Sequence, residues 1–137
     1  MFGIGIRTAP SDAAGVEPGV LVFKHHLTDR AQVTIETLSG GHLLHLAVAG
    51  CLFNDILREA GKRGVTLTEL QITAEGGFAG EPLCSTGVSY SVAIAGEAPD
   101  AELHILVAAC QQASAVAQSL RRGTAVTALE TQVRGGG

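Results

Sequence analysis

Ser39-Gly-Gly-His42-Leu-Leu-His45-Leu-Ala-Val-Ala-Gly-Cys51-Leu-Phe-Asn-Asp-Ile-Leu57 is the stretch on which the reading of this chain turns. Its apolar positions surround a helix instead of forming one stripe, while Asn54, Asp55, Arg58 and Glu59 come only near its end. That pattern predicts a helix over 41–61 that is covered on most sides. Ser39 is placed to cap it, its hydroxyl accepting a backbone N–H, and Gly61-Lys-Arg-Gly64 supplies a cationic, glycine-marked stop. A thiol near the middle of such a helix, Cys51, is either inert packing or a sheltered nucleophile.

Outward from this helix the periodicity changes to that of strands. Residues 2–8 and 20–26 read as short strands around a loop, 8–19, rich in Pro, Gly and Asp; residues 31–37 alternate Gln32, Thr34 and Glu36 against Val33 and Ile35. Beyond the helix, 65–75 and 86–95 read as strands joined by a long linker, 76–84. A second helix is expected over 100–120, closed by Arg121-Arg-Gly123, and a last strand over 124–133. The order βββ-α-ββ-α-β, with strands grouped between two buried helices, predicts an α+β fold and not a doubly wound sheet. We expect one domain over 1–137, with N-terminal strands in 1–38, a core in 39–134 and a frayed glycine tail at 135–137.

The composition narrows the function. With 137 residues, 46% apolar but only 4% aromatic, the core must be built from small aliphatic side chains, and covering it invites a partner subunit. A net charge of −4, with nine Lys and Arg scattered singly, offers no basic stripe, so nucleic acid is not an expected partner. No uninterrupted apolar run approaches the roughly 20 residues of a membrane span, and the first six residues have no signal-peptide character. The expectation is a soluble, cytoplasmic protein. Three cysteines, at 51, 84 and 110, form neither a disulfide framework nor a zinc motif and are expected to be reduced.

Among residues that could carry chemistry, Cys51 lies too far into its helix for the dipole to help, so any activating group must come from another segment. Cys110, among Val107, Ala108, Ala109 and Ala113, reads as packing, with Ser114 four residues on along the same face. Cys84 sits in the linker and reads as exposed. His42 and His45 share a helix face at i, i+3 but have no third ligand in sight, so they read as capping and packing residues and no metal is expected. His25 and His26, on a strand, would point to opposite sides. Neither Gly3-Ile-Gly5 nor Gly76-Gly77 has the context of a phosphate loop, and no cofactor is expected.

The run from Ser39 to Phe53 resembles the signature of the OsmC/Ohr family, in which a Pro-Glu-(Leu/Glu)-Leu-Leu-x-Ala-x-x-Ala-Cys motif opens a central helix and ends at a reactive Cys. The resemblance extends over residues 39–129, through Gly64-Val-Thr-Leu-Thr-Glu-Leu-Gln71 and Arg121-Arg-Gly-Thr-Ala-Val126. It implies an intertwined homodimer with two central helices from each chain and sites at the subunit interface. It further implies a thiol peroxidase of organic hydroperoxides, with Cys51 as the attacking thiol. In such proteins a second Cys on the other helix closes a disulfide, and an N-terminal Arg and a Glu at the first helix's start stabilise the thiolate.

This chain departs from that pattern. Ser114 stands at the second Cys position and cannot form a disulfide; Cys110, one turn earlier, is the remaining internal resolver. Gly41 and His42 stand where the Glu would be, and His42, nine residues before Cys51 at about 100° each, faces the other way. Arg7 and Arg30 are the choices for the Arg, and Arg7, beside the first loop, is preferred. The resemblance thus implies Cys51, Cys110 and Arg7 as site residues, with an external thiol as reductant. The other reading is a non-enzymatic homodimer that binds a small apolar ligand or regulates, with Cys51 structural.

Overall fold

A computed structural model describes residues 3–9 and 19–136. The element order is β1 (Ile4–Thr8), β2 (Val20–Lys24), β3 (Arg30–Ile35), α1 (Gly40–Lys62), β4 (Leu67–Ala79), β5 (Cys84–Gly96), α2 (Asp100–Ala113) and α3 (Ala115–Arg122). Phe2 of the expected first strand, most of the expected loop, and Gly137 lie outside the described residues. The α+β expectation holds.

One antiparallel sheet runs in the order β2-β3-β1-β4-β5. Alternation along each strand sorts its side chains into two faces. Registers align the inner ones in rows: Val33, Ile6, Ile72 and Val92 form one, and Ile35, Ile4, Ala74 and Tyr90 the next. On these rows lies α1, through His45, Ala49, Leu52, Phe53, Ile56 and Ala60, every one of them buried. By length and composition alone α1 could cross a membrane. Its burial against the sheet instead makes it the core helix.

Helices α2 and α3 form a further layer, packing on the flank of α1. Ser39 caps α1 as its sequence suggests, its Oγ accepting from the His42 backbone N–H at 3.2 Å and sharing a 2.6 Å hydrogen bond with His42 Nδ1. At the other end Gly64 takes a positive φ of 68° just past the helix, the conformation for which glycine carries no steric penalty.

Four boundaries differ from expectation. The strands β4 and β5 run on through the expected linker, leaving only residues 80–83 as the turn. Gly76 lets β4 continue: a Cβ there would collide with the carbonyl oxygen of Gly87 and with Nε2 of His45, so the strand passes over the helix only because it has none. Register shifts between Leu67 and Glu69 and between Gly76 and Phe78 bound the regular part of this pairing. The second strand ends at Lys24, because His25 is drawn into a turn. The expected second helix breaks at Ser114 (φ −58°, ψ 117°) into α2 and α3, and the Gln118 side chain donates to the Gln112 carbonyl at 2.7 Å across the break. The expected last strand is a correction: residues 124–133 join no sheet of this chain, and Val126, Leu129 and Val133 are exposed.

Candidate functional site

Cys51 lies on the strip of α1 that faces away from the sheet. Along that strip Gly40, Leu43, Ala47 and Arg58 are exposed, and Gly50 and Cys51 half-buried. His42 is buried on the opposite, sheet-facing side, as the helical count requires.

Two walls rise beside Cys51. One is the turn after β2. His25 Nδ1 accepts from the Leu27 N–H at 3.1 Å, so the proton sits on Nε2, which donates to Asn54 Oδ1 at 2.6 Å. The His25 ring also meets Phe53 edge-on at 5.1 Å, fastening this turn to α1 one turn past Cys51. His25 and His26 do not point to opposite sides: their rings lie 4.8 Å apart, because the chain has left the sheet by then.

The other wall is α2 and α3, running antiparallel to α1. Cys110, with Ala109 and Ala113, shares a groove with Asp55, Arg58, Glu59 and Lys62. Further along, Ala117, Leu120 and Arg121 share one with Leu44 and Val48. This second groove, of about 370 Å³, is completed by Ser85, Gly87, Val88 and Tyr90 of β5, so an apolar cavity begins one turn before Cys51. Sequence reasoning found Tyr90 and Val88 as strand positions but missed the groove, which exists only once α3 has folded back on α1.

The three thiols are all free and differ in setting. Cys84 is exposed at the start of β5. Cys110 is buried, and burial pushes its thiol up to about 11, reinforced by Asp55 and Glu59 and opposed by Arg63. Cys51 is the half-buried one, open on the free strip of α1. Arg7 does not join Cys51 within one chain: in β1 it pairs with Gln32 and Gln71 on the outer face of the sheet, across the sheet from α1, and its Nε donates to the Thr8 carbonyl at 3.3 Å. His45 Nδ1 donates to the Gly41 carbonyl at 2.6 Å, inside the helix itself. Among the described residues, no three His, Cys, Asp or Glu side chains gather as metal ligands.

Residues 34–128 match the family model of OsmC-like proteins. No curated protein matches the chain. Among solved structures, an OsmC-like hydroperoxide resistance protein from Jannaschia sp. CCS1 is similar over 92% of this chain and 91% of its own, at 15% identity and a TM-score of 0.56. An OsmC-like protein of unknown function from Vibrio cholerae is similar over 84% of this chain and 90% of its own, at 11% identity and a TM-score of 0.48. The first similarity is one of fold.

Proposed function

This chain belongs to the family of OsmC-like proteins, and from that membership we propose that it serves in oxidative stress as a thiol peroxidase of organic hydroperoxides, with Cys51 as the attacking thiol. The observation that carries the reading is the contrast among the cysteines: Cys110 is buried with its thiol pushed up, Cys84 is exposed in the β4–β5 turn region, and Cys51 is half-buried on the core helix α1, one turn past Val48 of the groove. Its thiolate attacks the terminal peroxide oxygen. An S–O bond forms, the O–O bond breaks, and the alkoxide leaves with the electron pair and takes a proton to become the alcohol. The sulfenic acid on Cys51 is then reduced by an external thiol, which displaces water to give a mixed disulfide that a second thiol opens.

The working unit in this reading is a homodimer in the cytoplasm. Support comes from apolar side chains that one chain leaves in water: Leu21 and Phe23, on the inner face of β2 beyond the reach of α1, Leu43 on the free strip of α1, and the extended segment 124–133. The groove of about 370 Å³ favours a second reading, a dimer that holds a small apolar ligand without turnover.

One experiment separates the two. A stoichiometric organic hydroperoxide is added to the wild type and to Cys51→Ser, and oxidation is located by peptide mass. Conversion of Cys51 with release of alcohol, absent in the variant, supports the peroxidase. A Cys51 that stays reduced while the peroxide persists removes it, and a Cys51–Cys110 disulfide would make Cys110 the resolver.

A further inference from the structure

The groove between α1, α3 and β5 is two-sided in its chemistry. Its volume, about 370 Å³, falls near the lower end of the roughly 300–1,000 Å³ of small-molecule pockets. Leu44 and Val48 of α1, Val88 of β5, and Ala117 and Leu120 of α3 give it an apolar lining. The polar side chains that line it are Ser85, Tyr90 and Arg121. No carboxylate is among the lining residues, so the groove presents two hydroxyls and one positive charge with no negative charge to match it.

The local structure explains how these donors come to face one space. Ala117, Leu120 and Arg121 are spaced i, i+3, i+4 and share one side of α3, whereas Arg122 falls off that side. The ion pairs on α1 join Arg58 to Asp55 and Arg63 to Glu59, and Arg121 belongs to neither. Ser85 Oγ accepts from the Gly87 N–H at 3.1 Å, which leaves its own O–H for another partner. Tyr90 is half-buried, and its phenol brings an apolar ring with a donor at the tip.

We propose that this groove binds a carboxylate carrying a short apolar chain, with Arg121 anchoring the carboxylate and Tyr90 and Ser85 donating to its oxygens. The inference rests on the reading of the groove as a ligand site and names the ligand's class; it makes no use of Cys51 chemistry. A planar guanidinium meets both oxygens of a carboxylate at once, which it cannot do for an alcohol or an amine of the same chain. The chain lies against Leu44, Val48 and Leu120, where it removes apolar surface from water.

The test is calorimetric titration of the wild-type protein with octanoate, 1-octanol and octylamine, three probes that share a chain and differ in head group. Octanoate should bind about tenfold or more tightly than the other two, and Arg121→Gln should remove that advantage while leaving octanol binding unchanged. Arg121 is exposed, so its exchange does not disturb the core. Arg122→Gln, one residue on and off the groove, should behave as wild type. Tyr90 is the one tyrosine of a chain without tryptophan, so a change in tyrosine emission on adding octanoate reports occupancy of this groove. Octanoate that binds no better than octanol, or as well to Arg121→Gln as to wild type, overturns the carboxylate inference while the groove remains a ligand site. If none of the three probes binds, the ligand-site reading falls with it. Consumption of hydroperoxide by Cys51 bears on neither result.

Discussion

The imidazole of His45 and the backbone of Gly76 are fitted to each other: a Cβ on Gly76 would run into the ring and, beside it, the carbonyl oxygen of Gly87. Gly76→Ala must therefore push β4 away from α1 or from β5. Overpacking of this kind costs about 1–3 kcal/mol, read as a lower urea midpoint. His45→Ala in the same chain should recover part of the loss, because the ring goes but the Gly87 carbonyl stays. An unchanged midpoint for the single variant would mean that β4 moves aside freely.

The Cys110 thiol supplies a pH dependence of stability. Its folded value, about 11, lies above that of an unfolded thiol, so the stabilisation is complete below the unfolded value. As pH rises past that value the unfolded chain loses a proton that the folded chain keeps, and stability falls until the folded thiol also ionises. Wild type should therefore lose more stability than Cys110→Ala between about pH 9 and pH 11. Parallel curves for the two proteins would refute the assignment.

At the start of α1, Ser39→Ala removes both the cap to the His42 N–H and the bond to its ring. The expected loss is about 0.5–2 kcal/mol, the usual range for an N-cap. Oxidation of Cys51, three turns along, should keep its rate. A cap that mattered only to the local turn would leave global stability in denaturant unchanged.

For the proposed homodimer, Leu129→Asp places a charge on the exposed 124–133 segment. Light scattering should show the dimer dissociating at concentrations where the wild type stays paired. A variant that remains dimeric would exclude Leu129 from the interface.

Much of this architecture is legible in the sequence. The wraparound apolar pattern locates α1 to within a residue at each end, and alternation finds β3 and the middle of β4 and β5. The misses share a cause: they depend on neighbours distant in sequence. Gly76-Gly77 reads as a break until β4 is seen passing over His45. His25 reads as strand until Asn54 and the Leu27 N–H take its ring. No glycine or proline marks the bend at Ser114, where Gln118 binds the Gln112 carbonyl. Residues 124–133 have a strand's composition without a strand to pair with. Of the site, Cys51 is legible as a residue, but its walls and the placement of Arg7 beyond the sheet are tertiary facts.

The two register shifts in the β4–β5 pair oppose each other. Leu67 faces Gly96 but Glu69 faces Ala95, so β4 holds an extra residue at one end; Gly76 faces Val88 but Phe78 faces Ser85, so β5 holds it at the other. Both strands accordingly span 13 residues. Between the shifts, odd and even are fixed: one residue lost from 69–76 would turn Ile72 or Ala74 out to water and bring Glu or Thr against α1. Changes in chain length should thus survive only in the 80–83 turn or as matched pairs, one in each strand, so that the gene for this protein is constrained in its count of codons as well as in their meaning.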